Sequence, residues 1–363
     1  MKLATYKDGS RDGQLVVVSR DLNQAHYATD IVSRLQQALD DWGFFSPQLQ
    51  NLYTALNAGR ARHAFPFEPA QCMAPLPRAY QWADGLAYLN HLELEHKARG
   101  AQAPENLRAA PLMYQGGSDA FLGPADDIRV PSEAMGIDFG AEVAVITGDV
   151  AMGATPEQAL EGIRLLMLAN GVSLRHLIFN ELAQGLGLLQ GKPATAFSPV
   201  AVTPDELGAA WQGGRVHLTL QSAWNDRKVG LCEAGPEMAF HFGQLIAHLA
   251  RTRHVRAGSI VGSGPVSNRG AETQGRMDWP KGYGCIAEKR CMETLQDGAP
   301  STDFMKFGDT IRIEMKGLDG RSVFGAIDQK IVPPDVRRRR PAPIPEAAAS
   351  AELNRDAREG GTG

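Results

Sequence analysis

The chain has 363 residues, 43% hydrophobic and 21% charged, with a formal net charge of −4. Such a composition can bury a core, which excludes wholesale disorder. The slightly acidic balance also excludes the basic field of a nucleic-acid binder. Glycine is in excess, with 39 residues, about 11% of the chain against a usual ~7%. With 22 prolines as well, a loop-rich mixed α/β or β fold is expected ahead of a helical bundle.

In chain order, Lys2–Tyr6 and residues 14–19 read as two strands joined by a Gly/Asp turn, a hairpin. A helical stretch is expected over residues 27–40. Pro66, Pro69, Pro75 and Pro77 crowd residues 65–78, breaking helix and sheet alike, so the segment reads as an inter-domain linker with a boundary near residue 75. Further strands are expected at residues 142–147, 216–221, 259–262 and at Thr310–Met315, where apolar and polar residues alternate as on a strand with one wet face. Asp319-Gly320 predicts a hairpin turn into a strand over residues 322–327.

Thr155, Pro156 and Gln158 form an N-cap, a first-turn proline and a capping box. That helix is expected to run to about Ala169, and a second helix to cover residues 236–252. Strands without regular βα alternation argue against a Rossmann sheet or a TIM barrel. Residues 333–363 contain Arg337 to Arg340 among prolines and small polar residues. They read as a disordered tail, its arginines a solvated linker rather than an RNA or membrane contact.

Cys72, Cys232, Cys285 and Cys291 form no Cys-x-x-Cys pair, so neither a zinc cluster nor a disulfide framework is indicated. The N-terminus lacks the apolar core of a signal peptide, and no apolar run approaches the ~18 residues that span a bilayer. A cytoplasmic location is expected.

No P-loop, His-Glu-x-x-His or Gly-x-Ser-x-Gly elbow is present. Residues 82–95 place His91 among Asp84, Glu93 and Glu95. This pattern reads either as a base oriented by a carboxylate or as a solvated amphipathic stretch. Glu142 opens a strongly apolar strand; a carboxylate there is costly unless it is paired, holds a metal, or the strand end is wet. Lys192, in a Gly/Pro-bounded loop, suits an anionic substrate or plain solvent. Glu288, in the stretch 282–289, points into a site or makes an ion pair.

Taken in order, these stretches resemble the fumarylacetoacetate hydrolase family over residues 80–330. The first 75 residues look like the small N-terminal domain of some bacterial members. Gly262-Ser263-Gly264, Ala196-Phe197-Ser198-Pro199 and residues 300–308 add to the likeness. The resemblance implies an α+β, β-rich fold: a small N-terminal domain (1–75), then a mixed β-sandwich roll (76–332), assembled as a homodimer. It implies metal-dependent hydrolysis of a carbon–carbon bond in a 1,3-diketo acid such as 4-fumarylacetoacetate, giving fumarate and acetoacetate. The implied partner is that small molecule, not nucleic acid or membrane. Acylpyruvate hydrolysis, oxaloacetate decarboxylation, or a catalytically impaired binding protein are the alternatives within the family.

The same resemblance implies a site. Asp84, seven residues before His91, and Glu142 are metal ligands for Mg²⁺ or Ca²⁺, with Mn²⁺ a further candidate. His91 and Glu288 form the catalytic pair, Lys192 assists, and Tyr114 and Arg175 contact substrate. Two expected ligand positions hold Gly140 and Gly171 instead of carboxylates, and Pro265 replaces a threonine. Reducing four carboxylates to two predicts weak cation binding. Asp138 shares a strand face with Gly140 but lies two residues away, roughly 6.6 Å, too far to substitute.

Overall fold

The computed structural model describes residues 1–102, 105–273 and 276–335; most of the expected tail, 336–363, lies outside them. The fold is α+β and strand-rich. Its central element is a large sheet in the spatial order Phe65–Pro66, Gln24–Tyr27, Gln14–Val18, Lys2–Tyr6, Ala201–Val202, Ile163–Asn170, Ala141–Thr147, Ile260–Gly262, Trp82–Gly85 and Met113–Gly116. Neighbours are antiparallel except Ile260–Gly262 and Trp82–Gly85, which run parallel. The sheet crosses residue 75 without a break, because Lys2 and Leu3 pair with Val202 and Ala201.

Ala141–Thr147 is buried along its whole length. Its side chains alternate between two cores: Val143 and Val145 face one, Ala144 and Ile146 the other. The second core is closed by the helix Trp42–Asn57 through Leu49, Tyr53 and Leu56. The first is shared with a five-stranded sheet containing Thr310–Met315, whose Ile311, Ile313 and Met315 point inward as their alternation predicts. Among the described residues no helix is long and apolar enough to cross a membrane.

Several expected elements are shorter or different. The helix over 27–40 begins only at Leu35, because Gln24–Tyr27 is drawn into the sheet against Gln14–Val18. The capping box at Thr155 forms, but its helix is Pro156–Glu161. From Ile163 the chain is a central strand, since an apolar run of this length suits either state and pairing with Ala141–Thr147 decides it. The helix over 236–252 contracts to Phe242–Leu249, with His241 as its N-cap. The strand expected over 216–221 is split into Arg215–Val216 and Thr219–Trp224. The strand expected over 322–327 starts at Ile327, after Gly325 with φ +71°. The proline-rich stretch 65–78 is no free connector. It supplies the edge strand Phe65–Pro66, buries Cys72, Ala74 and Leu76, and donates Met73 N–H to Thr5 O at 2.8 Å. Edge positions tolerate proline because their missing donor faces outward.

Candidate active site

The sheet register assembles one half of the site. Tyr114 pairs with Asp84, and Asp84 with Gly262. Gly262 pairs in turn with Ala144, two residues along the strand from Glu142. Asp84, Tyr114 and Glu142 therefore emerge at one end of a run of four adjacent strands. Gly262 lies between them, and a Cβ there would press on the Asp84 carboxylate and the Trp82 ring. Asp84 is buried and accepts Gly264 N–H at 2.9 Å. Glu142 is fully buried, and among the described residues neither of its carboxylate oxygens meets a donor, though the Asp84 carboxyl lies close enough to share a proton with it. Burial, then the charge of Asp84, raises the Glu142 carboxyl well above its usual range. Burial likewise raises Asp84, against the pull of Lys192.

Lys192 Nζ donates to Ser173 Oγ at 3.0 Å and lies 4.8 Å from the Tyr114 ring centroid, a cation–π contact. Burial lowers its ammonium pKa, while Glu142 and Asp84 oppose that. The tyrosine hydroxyl is pushed upward by burial, then by Asp84 and Glu142. Both groups thus respond to the same two carboxylates.

Gly140 and Gly171 sit beside Glu142 and bond to each other, Gly171 N–H to Gly140 O at 2.9 Å. A Cβ at Gly140 would lie 2.8 Å from both Glu142 Oε1 and Gly171 O. A Cβ at Gly171 would overlap the Glu142 carboxylate outright. Glu142 has folded into the room that two side chains would otherwise fill. Asp138 is committed elsewhere. It accepts from Ile286 N at 2.6 Å and Ala287 N at 2.9 Å, capping the helix Ile286–Asp297, and from Arg175 Nε at 2.9 Å. Its place as a helix cap and ion-pair partner, not as a replacement ligand, follows from those bonds.

The other half is built by two packed helices, Leu89–Ala98 and Ile286–Asp297. His91 Nδ1 lies 3.1 Å from Glu288 Oε1, and both residues are buried. Glu288 Oε2 accepts Gly284 N–H at 3.1 Å, which fixes the carboxylate's orientation. One turn along, Glu95 Oε1 stands 3.7 Å from His91 Nε2. Burial alone would depress the imidazole, but Glu288 and Glu95 outweigh it and hold His91 above its usual value. Arg175 acts electrostatically on His91, Glu142 and Lys192 alike, so its charge links the two halves.

Of the residues singled out in the sequence, His91 and Glu288 meet directly, and Asp84, Glu142, Tyr114 and Lys192 form a second group. Arg175 reaches both through its charge but is anchored on Asp138. Glu93 faces away and pairs with Arg269 at 2.6 Å. Sequence reasoning missed Cys285, whose Sγ lies 3.9 Å from His91 Nδ1, and the role of Glu95. The i, i+4 spacing from His91 was the available signal for Glu95; nothing local marked Cys285.

The profile of the fumarylacetoacetate hydrolase C-terminal domain matches residues 81–332, and that of the fumarylacetoacetase N-terminal domain 2 matches residues 1–78. The chain belongs to the fumarylacetoacetate hydrolase family. Its members are hydrolases or isomerases and are generally metal-dependent. A 2,4-didehydro-3-deoxy-L-rhamnonate hydrolase from Sphingomonas sp. (strain SKA58) is 25% identical over 195 residues, covering 52% of this chain and 65% of that protein. A maleylpyruvate hydrolase from Sphingobium sp. SYK-6 superposes with a TM-score of 0.59 at 14% identity, over 92% of this chain and 100% of that one. A fumarylacetoacetate hydrolase from the psychrophilic Exiguobacterium antarcticum gives 0.58 at 16% identity, over the same shares. At these identities the structures share the fold.

The donor set fits a hard divalent cation. Asp84 and the two unpartnered oxygens of Glu142 are all-oxygen donors, with Gly171 O beside them. A buried carboxylate without partners is unfavourable unless protonated or neutralised by a cation. Two carboxylates give a weaker site than four.

Proposed function

We propose that this chain hydrolyses a carbon–carbon bond in a small 1,3-diketo acid of the fumarylacetoacetate or acylpyruvate type, as a metal-dependent, cytoplasmic, homodimeric enzyme. The observation that carries the reading is the buried His91–Glu288 pair, held in one electrostatic site with unpartnered Glu142. Asp84 and Glu142 would hold the divalent cation, which when bound supplies Lewis-acid polarisation of the diketo oxygens.

The chain's own residues then account for the proton work. Glu288 accepts from His91 Nδ1–H, which leaves the Nε2 lone pair free as the basic atom. Nε2 takes a proton from water as that water's oxygen bonds to the substrate carbonyl carbon. The carbon–carbon bond breaks, and its electron pair leaves with the departing fragment as an enolate. The imidazolium returns its proton to that fragment. Lys192, half-buried beside Tyr114, stabilises the developing oxyanion. Arg175, pinned by Asp138, supplies positive charge for the substrate carboxylate.

The test is a Mg²⁺ and Mn²⁺ titration by calorimetry alongside a diketo-acid cleavage assay. Saturable cation binding with cleavage into two acids supports the reading. Binding without cleavage of any diketo acid favours the binding-protein reading, for which Gly140 and Gly171 speak. Cleavage unaffected by chelator removes the cation from the scheme.

A further inference from the structure

The cluster around His91 holds more than the proton-transfer pair requires. His91 Nδ1, Cys285 Sγ and Glu288 Oε1 each offer one donor atom, and donor atoms of the three residues lie within 4.8 Å of one another. The closest approaches are 3.1 Å from His91 Nδ1 to Glu288 and 3.9 Å from the same nitrogen to Cys285. A tetrahedral ion with bonds of about 2.0–2.3 Å sets its ligands about 3.3–3.8 Å apart. The two approaches to His91 Nδ1 already fall within about 0.2 Å of that range, and the third pair lies within 4.8 Å.

We propose that His91, Cys285 and Glu288 form a second metal site, for a borderline-soft ion of the zinc class, and that its occupation switches off the proposed hydrolase by taking the His91–Glu288 pair. The inhibitory half of the proposal rests on the function proposed above; the binding half does not.

The chemistry separates this site from the carboxylate one. Nitrogen, sulfur and oxygen donors select zinc over Mg²⁺ or Ca²⁺, which take oxygen. Three protein ligands leave a fourth position open, as in zinc sites that retain an exchangeable ligand. The support around the ligands is also in place. Glu95 faces Nε2 at 3.7 Å, longer than a hydrogen bond, and its charge favours a proton on that nitrogen, which frees Nδ1 to ligate. Gly284 N–H holds the other oxygen of Glu288. Cys285 is the N-cap residue of the helix Ile286–Asp297, so its sulfur is placed by the same turn that places Glu288. A cleft of about 290 Å³, lined by Glu95, Arg175, Ala287 and Cys291, lies next to the cluster. Binding expels the thiol proton to solvent, and the proton on Nδ1 leaves or moves to Nε2, which faces Glu95.

The test is a Co²⁺ titration of the full chain, read by absorption, with Zn²⁺ competition. The expected result is a sulfur-to-cobalt charge-transfer band that saturates at one ion per chain and is displaced by Zn²⁺. The band should survive Glu142→Gln and Cys291→Ser, and disappear in Cys285→Ser, where serine keeps an N-cap oxygen. No band in the unmodified protein overturns the proposal, as does a band that persists in Cys285→Ser. In the assay, Zn²⁺ should lower turnover at least tenfold relative to the zinc-free rate of the same protein, and this ratio should return towards one in Cys285→Ser. A saturating band without inhibition leaves the metal site standing and overturns the assignment of His91 to catalysis. An absence of turnover under every condition tells against the hydrolase reading alone.

Discussion

The two halves of the site differ in how fully their polar atoms are satisfied. On the helical side, His91, Glu288 and Gly284 form a closed chain of hydrogen bonds. On the sheet side, Glu142 is as deeply buried as Glu288, yet both its oxygens lack partners. Burial is therefore not what separates them. The helical half is organised by hydrogen bonds within the protein, whereas the sheet half crowds two buried carboxyls that Lys192 and Arg175 offset only in part. The helical half can position its base without a ligand, whatever ion its cysteine also lets it take; the sheet half, left incomplete, is built to receive something, at a cost to the empty fold.

The comparison can be broken most directly at His91. His91→Ala should reduce diketo-acid turnover by about 10²–10⁴-fold, the usual reach of general acid–base catalysis, while cation affinity measured by calorimetry stays within a few-fold. Retained turnover would remove the helical half from the chemistry. The sheet half is sharpened by filling its gap. Gly140→Glu combined with Gly171→Asp should tighten Mg²⁺ binding at least tenfold, because two added carboxylates restore the hard-cation shell. The substitution also forces Glu142 out of its present place, since a Cβ at Gly171 overlaps its carboxylate. Calorimetry showing no gain would mean that Glu142 does not yield and that the site lies elsewhere.

The third expectation concerns the energetic cost of the unpartnered carboxylate. Glu142→Gln should stabilise the cation-free protein by about 1–3 kcal/mol in denaturant melts, by removing a buried carboxyl crowded against Asp84, while weakening cation binding. Destabilisation instead would show that Glu142 is satisfied in a way its surroundings do not suggest.

A smaller effect is expected outside both halves. Glu293, on the same helix as Glu288, accepts from Thr302 Oγ1 at 2.6 Å, Thr302 N and Ser301 N. Burial opposes its ionisation, but these bonds and Lys289 bring its carboxyl down to about 2. Its folded value lies below its unfolded one, so its contribution is present above about pH 4.5 and is lost as pH falls towards 2. Glu293→Gln should therefore lower stability by up to about 3 kcal/mol at neutral pH, with the difference from the unmodified protein closing across that window. A constant difference down to pH 2 would contradict this.

Much of the fold could be read locally. The Lys2–Tyr6 hairpin, the capping box at Thr155 and the alternation of Thr310–Met315 all depend on neighbours within a few residues, and all three form. Expectations failed where a sequence suited two states. The run from Ile163 serves as helix or strand, and only its pairing with Ala141–Thr147 decides. The crowded prolines near residue 70 look like a linker until a sheet edge is there to receive them.

The site divides in the same way. Sequence alone placed Asp84 seven residues before His91, marked Glu142 at a strand head, and showed glycines at positions 140 and 171. Those are matters of residue type and short spacing. Only the tertiary structure showed that Glu142 turns into the space those glycines leave, that Asp138 is spent on a helix cap and on Arg175, and that Cys285 comes to lie beside His91 across 194 residues of chain. Side-chain direction and long-range proximity depend on how strands register and helices pack, and no local pattern encodes either.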